Sequence, residues 1–364
     1  MKIHEIRAAG LRGASPEGGW MEEILPDDCI HTLIAVHTDE GVTGYGSAYT
    51  NDALVKAALA VLAPLYLGEN ALEPERVSEK LHQNTFWMGR GGTLTHTISG
   101  IDIALWDILG KVTGQPVGRL LGGRHRERVR PYASILMKQP EPLAAQLAQL
   151  KEYGFRAFKM GWGPFGRVSN QLDEAIVRTA RDTLGPDCWL MVDAGGSDAY
   201  WQGSYKWALR TAQMLAEYDV FWFEEPLKPD ALDDFVALRR AAPLPIAGGE
   251  VLTRRQAFVP WLEAGAFDIV QPDVTKVGGI SEERKVGWLA EEHGAKFIPH
   301  GWNTAIGLAA DLQLAAAFAH TDFVEYLTGS PYIDEIVTTP WALYRRDRHH
   351  PLAPRHRRHV GDPR

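Results

Sequence analysis

Between residues 3 and 50 the chain reads as short strands. Thr32 to His37 and Val42 to Ala48 are rich in β-branched and aromatic side chains and flank Asp39-Glu40-Gly41, which predicts a meander or hairpin. The period then lengthens. Helical patterns run over Asp52 to Leu65, Glu73 to Gln83 and Thr95 to Val112, the last presenting Ile98, Ile101, Leu105 and Ile108 at spacings of three and four. Together these predict an α+β module over residues 1–125. After Gly122-Gly123 short apolar runs alternate with longer amphipathic segments. The predicted strands are Arg130 to Leu136, Ala157 to Met160, Trp189 to Val192, Val220 to Phe223, Pro245 to Ala247, Phe267 to Val270, Lys296 to Pro299 and Phe323 to Val324. Eight strands interleaved with seven helical segments predict an α/β fold with a parallel sheet closed as a (β/α) barrel, over residues 126–340.

Composition narrows the class. With 364 residues, 45% hydrophobic and 23% charged, the chain can bury a large core, and wholesale disorder is excluded. The longest apolar stretch, Ala58 to Leu67, contains Pro64 and is shorter than the ~20 residues a membrane span needs. Glu5 and Arg7 interrupt the place where a secretory peptide would be apolar, so a cytoplasmic protein with no membrane partner is expected. Two cysteines, Cys29 and Cys188, are too few for a disulfide framework and are expected as buried thiols. A net charge of −8 argues against nucleic-acid binding. Residues 341–364 differ from the rest: they carry seven Arg and two Asp, a basic tail behind an acidic body.

In a barrel of this kind the chemistry sits at the carboxyl ends of the strands, and here nearly every strand ends in an ionisable residue. Lys159, Asp193, Glu224 and Glu250 end the second to fifth, Asp273 follows the sixth, and His300 and Glu325 end the seventh and eighth. Any one acidic residue there could be a helix N-cap. Asp193, Glu224 and Glu250 come from three consecutive strands, so their carboxylates can converge, and an all-oxygen donor set calls for a hard divalent ion, Mg²⁺ before Ca²⁺ or Mn²⁺. Asp273 on the strand beside His300 can fix the imidazole tautomer and raise its basicity, which makes a general base. Lys159, ending a buried strand, is expected to supply a cation facing the metal. Gly161-Trp162-Gly163-Pro164-Phe165-Gly166 matches G-x-G-x-x-G, but Pro164 removes an N–H from a loop that would need to donate to phosphate. Gly89-Arg90-Gly91-Gly92 has no following Lys-Ser/Thr and is no P-loop.

Ser99-Gly-Ile-Asp-Ile-Ala-Leu-Trp-Asp-Ile-Leu-Gly-Lys111, Leu120-Leu-Gly-Gly123, Phe223-Glu-Glu-Pro226, Gly249-Glu250, Gln271-Pro-Asp-Val-Thr-Lys-Val-Gly-Gly279 and the His300 segment resemble the mandelate racemase subgroup of the enolase superfamily, over about residues 3–340. The resemblance implies an N-terminal capping domain over a modified (β/α)₇β barrel and one Mg²⁺ per subunit on Asp193, Glu224 and Glu250. It also implies a His300–Asp273 dyad as base, with Glu325 as hydrogen-bond donor to a substrate carboxylate. The expected activity is acid-sugar dehydration, a hydro-lyase reaction on an aldonate or aldarate. The alternatives are a racemase or epimerase, a sugar-lactone cycloisomerase and, from other classes, a non-catalytic sugar-acid binder or an NAD-linked oxidoreductase. Trp20, Asn51, Trp87, Arg90, Trp162 and Asn303 are candidate substrate contacts, and a homo-oligomer is expected. Two departures stand out. The family often carries Lys-x-Lys where this chain has Lys159-Met160-Gly161, and residues 345–364 do not resemble the Pro-Gly-Leu-Gly-like ending of relatives.

Overall fold

The computed structural model describes residues 1–15, 24–198, 201–339, 341–343 and 359–360. The chain opens with strands β1 (Ile3–Leu11), β2 (His31–Thr38) and β3 (Thr43–Ala48), an antiparallel meander ordered β1-β2-β3. Helices α1 (Asp52–Tyr66), α2 (Pro74–Asn84) and α3 (Gly92–Thr113) pack on one face of that sheet, burying Ile34, Val36, Leu59, Leu81, Ile98, Ile101, Leu105 and Ile108 in one apolar cluster. The spacing that predicted α3 is thus the stripe facing the sheet. Close approach fixes the contact. A side chain at Gly46 would collide with the backbone carbonyl of Gly100, so strand and helix touch backbone to backbone.

A short helix, α4 (Val117–Leu120), leads into the barrel, which runs β4 (Arg130–Leu136), α5 (Pro140–Tyr153), β5 (Ala157–Gly161), α6 (Asn170–Leu184), β6 (Trp189–Asp193), α7 (Tyr205–Glu217) and β7 (Phe223–Glu224). It continues α8 (Leu232–Ala241), β8 (Ile246–Gly248), α9 (Arg254–Ala264), β9 (Ile269–Val270), α10 (Gly279–Glu292), β10 (Lys296–Phe297), α11 (Ala305–Ala317) and β11 (Phe323–Leu327). All pairings are parallel, in the order β10-β9-β8-β7-β6-β5-β4-β11, so the last strand returns beside the first and the sheet curls into a (β/α)₇β barrel. Strands β7, β9 and β10 are shorter than their apolar runs predict. Phe221 still donates to Leu190 and Ile298 to Val270, so strand-to-strand bonding extends past the regular segments.

The barrel interior shows how sequence period becomes a site. Tyr132, Ala157, Met191, Trp222, Ala247, Ile269, Ile298 and Phe323, one from each strand or its edge, form a closed apolar ring. Two residues further along every strand, on the same face one pleat higher, stand Ser134, Lys159, Asp193, Glu224, Gly249, Gln271, His300 and Glu325. The apolar ring is the floor of a polar one.

Cap and barrel are joined through α3. Ser99 Oγ accepts from the Gly278 amide (2.8 Å), Asp102 Oδ1 from the Ser281 amide (3.0 Å), and Trp106 Nε1 donates to Ser281 Oγ (2.9 Å). Burial pushes the Asp102 carboxyl up to about 7, the hydrogen bonds to Ser281 only partly offsetting it. No helix among the described residues is long and apolar enough to cross a membrane.

Candidate active site

Asp193 ends β6, Glu224 ends β7 and Glu250 lies just beyond β8. All three are buried, and one carboxylate oxygen from each lies within 4.8 Å of the others. Trp222 Nε1 (2.9 Å) and Gln271 Nε2 (2.8 Å) both donate to Glu224 Oε2, and the Gly195 amide donates to Asp193 Oδ1 (2.8 Å), so the trio is held by groups from the floor and rim. Burial, reinforced by the charges of Glu224 and Glu250, raises the Asp193 carboxyl well above its usual range. Glu225, in the left-handed region at φ 41°, adds a fourth buried carboxyl with Oε2 unpartnered. Around the cavity, six buried carboxyl groups (Asp193, Glu224, Glu225, Glu250, Asp273, Glu325) stand against Lys159, Lys276 and His300. Clustered hard oxygen donors with uncompensated negative charge fit a divalent cation of the Mg²⁺ kind.

His300 faces the trio. Its Nδ1 is 2.8 Å from Asp273 Oδ2 and its Nε2 2.9 Å from Glu250 Oε2. Burial alone would lower the imidazole, but Glu250, Glu325 and the Asp273 hydrogen bond raise it well above its ordinary value. Asp273 is held by Thr275, whose amide (2.7 Å) and hydroxyl (2.5 Å) both donate to Oδ1, leaving Oδ2 for the ring. Burial opposes its ionisation, yet Lys276 and His300 keep it below its usual range.

Lys159, from β5, sits opposite. Its Nζ lies 2.6 Å from Glu224, 3.1 Å from Glu325 and 3.6 Å from Asp193, and those charges outweigh burial and hold it well above its usual value, as a fixed cation. Glu325 accepts from Tyr132 Oη (2.9 Å) and from the Gly301 amide (2.8 Å). Burial works against its charge, but Lys159 and His300 keep it below its usual range. Its Oε2 takes both of those hydrogen bonds, and its Oε1 lies toward Lys159. Gly161, standing where the family often has a second lysine, is closed to a side chain: a Cβ there would lie 2.9 Å from Asp193 Cβ.

The cavity is lined by Tyr49, Ser134, Ile135, Lys159, Gly161, Trp162, Asp193, Glu250, Lys276, His300 and Trp302. Of the candidate substrate contacts, Trp162 lines it, with positive φ (61°) and its ring covering Gly195. Three others lie outside that lining. Asn51 is the N-cap of α1, accepting from the Ala53 amide and donating to Cys29 O. Asn303 is fully buried behind the cavity and donates to Asp311 Oδ2 (3.2 Å). Arg90 lies on the surface over the Phe86 ring, outside the lining. Trp87 is wholly exposed, and Trp20 lies outside the described residues. In the G-x-G-x-x-G loop the Gly166 amide is already given to Asp173 Oδ1 (2.8 Å) and is not free for a phosphate. Tyr49, Trp302 and Lys276 were not singled out from the sequence; the one signal for Lys276 was a lone lysine in the run Val274-Thr-Lys-Val-Gly-Gly279.

Comparison with known proteins agrees with this architecture. Residues 28–122 match the mandelate racemase / muconate lactonizing enzyme N-terminal domain, and residues 142–354 the enolase C-terminal domain-like family. The chain is 36% identical to the D-galactarolactone cycloisomerase of Agrobacterium fabrum, over 79% of this chain and 75% of that protein. It is 32% identical to the L-rhamnonate dehydratase of Saccharopolyspora erythraea, over 93% and 89%. The 3,6-anhydro-D-galactonate cycloisomerase from Zobellia galactanivorans superposes with a TM-score of 0.81 at 29% identity, covering 91% of this chain and 89% of that one. The paired domains and the relatives make this chain an enzyme of the mandelate racemase / muconate lactonizing enzyme family, within the enolase superfamily.

Proposed function

We propose that the protein is a Mg²⁺-dependent acid-sugar dehydratase, which removes the proton α to the carboxylate of an aldonate or aldarate and expels the β-hydroxyl. One observation carries this reading: three carboxylates lie within 4.8 Å of one another, and two of them, Asp193 and Glu250, line the same cavity as an imidazole 2.8 Å from its own carboxylate partner. Asp193, Glu224 and Glu250 would hold the ion, which when bound takes up charge on the substrate carboxylate as the α-proton leaves. His300 takes that proton, and Asp273 balances the imidazolium that results. Lys159, fixed by Glu224 and Glu325, keeps a positive charge against the substrate carboxylate. The proton then returns from His300 to the departing β-oxygen, the C–O bond breaks, water leaves, and the enol tautomerises to a 2-keto-3-deoxy acid. The rhamnonate dehydratase relative supports elimination.

A second reading, cycloisomerisation of a sugar lactone, is favoured by the names of the Agrobacterium and Zobellia proteins and by flat walls at Tyr49, Trp162 and Trp302 suited to a ring. Both begin at His300. Incubation with Mg²⁺ and a panel of aldonates, aldarates and their lactones separates them: 2-keto-3-deoxy acid formed from an open sugar acid with loss of water marks the dehydratase, and a product of unchanged mass formed from a lactone marks the cycloisomerase. Turnover of none of these overturns both. We place the enzyme in the cytoplasm, a reading supported by two buried, unpaired thiols, Cys29 and Cys188.

A further inference from the structure

We propose that Lys276 is a positioning residue that sets how tightly the carboxylate trio holds its cation and how freely His300 faces the substrate. Lys276 lies on the loop after β9, three residues past Asp273, is 6% exposed and lines the cavity. Its Nζ is 3.3 Å from Glu250 Oε1 and 3.7 Å from Asp273 Oδ2. The ring of Tyr49, from the capping domain, covers it with its centroid 4.3 Å away. The Tyr49 amide also bonds Thr275 O (3.5 Å), which ties the cap to the same loop.

His300 bridges the same two carboxylates from the other side, through Nδ1 to Asp273 Oδ2 and Nε2 to Glu250 Oε2. An ammonium and an imidazole therefore share Asp273 and Glu250, and Glu250 belongs to the trio as well. Lys276 occupies Oε1 of Glu250 and leaves the imidazole only Oε2. Its fixed charge, in a buried site, also repels any divalent ion on Asp193, Glu224 and Glu250.

Removing that charge while keeping the side chain's length has two opposite consequences. The trio gains affinity for a divalent ion, and His300 settles onto Glu250 instead of the substrate. Damage to the fold alone would lower both metal affinity and turnover. The test is calorimetric titration of the full chain with Mg²⁺, paired with steady-state kinetics on the sugar acid that the wild type turns over.

In Lys276→Met, Mg²⁺ binding is expected to tighten about tenfold while kcat falls about 10- to 100-fold and KM changes less. Lys276→Arg, which keeps the charge, is expected to hold wild-type metal affinity within about threefold. If Lys276→Met does not fold, Lys276→Gln, neutral but still able to donate to Glu250, is read the same way. Equal or weaker Mg²⁺ binding by the neutral variant, or an unchanged kcat, overturns the role of Lys276. The inference rests on the metal reading above, and the two fail differently: absence of saturable Mg²⁺ binding by the wild type overturns both.

Discussion

On one wall of the cavity His300 is hydrogen-bonded to Asp273 and turns its second nitrogen toward the trio. On the other, Lys159 is gripped by Glu224, Glu325 and Asp193, and its neighbour Gly161 has no room for a side chain. A group that takes and returns protons needs a free lone pair at working pH. Carboxylates raise both groups, but an imidazole starts from 6.5 and an ammonium from 10.5, so of the two His300 is the one suited to offer a lone pair. In the proposed reaction the two walls thus differ in kind, one moving a proton and the other holding a charge. Chemistry that removes and returns a proton on a single face suits elimination or cycloisomerisation better than two-base racemisation.

The largest expected effect comes from the wall with the base. His300→Asn should lower kcat by about 10³-fold or more and abolish exchange of the substrate α-hydrogen with solvent deuterium, followed by proton NMR. Residual exchange near the wild-type rate would erase the difference between the walls. Next, Lys159→Met should cost about 10²- to 10³-fold in turnover. It should also lower stability by about 3–5 kcal/mol in denaturant titrations, because Glu224 and Glu325 lose a buried partner. A variant as stable as the wild type would mean that the ammonium is not clamped.

Gly161→Ala probes the closed position. Its Cβ pushes on Asp193, so Mg²⁺ affinity should fall about tenfold by calorimetry while the melting temperature changes little. Smallest is the effect of Asp102→Asn, away from both walls. Burial pushes Asp102 up to about 7 when folded, whereas it ionises near the ordinary 3.8 when unfolded. The folded state therefore binds more protons between about pH 4 and 7, and this group's contribution to stability falls as pH rises through that window. The Asn variant should lack that fall, gaining on the wild type in melting temperature at pH 8 relative to pH 5. Parallel pH profiles would place the Asp102 carboxyl in its ordinary range.

The strand ends were legible because barrel strands are short apolar runs, and the residue two beyond a floor residue must point into the same opening. That single rule connects Ala157 to Lys159, Met191 to Asp193, Trp222 to Glu224 and Ile298 to His300. Asp273, four residues past Ile269, keeps the alternation one pleat above the polar ring, whereas Glu250, three past Ala247, falls outside it, and only its neighbours' apolar run marked it. Lys276 obeys no period, since it sits on a loop whose path depends on positive φ at Gly278 and Gly279. Asn51 and Asn303 lie outside the cavity lining and spend their amides elsewhere, because an amide near a strand end serves equally well as a helix cap or as a partner for a buried carboxyl, and sequence does not distinguish these from a substrate contact. The Ser99–Lys111 segment, prominent as a motif, turns out to fasten cap to barrel through Ser99, Asp102 and Trp106.

The central claim, a lone base facing a carboxylate-held ion, is tested most directly by following a turned-over sugar acid in D₂O with Mg²⁺ present. The account predicts that recovered substrate keeps its α-carbon configuration, that any deuterium there enters with retention, and that both exchange and turnover vanish on chelation of the metal. Deuterium appearing with inversion, or exchange that persists without a divalent ion, would contradict it.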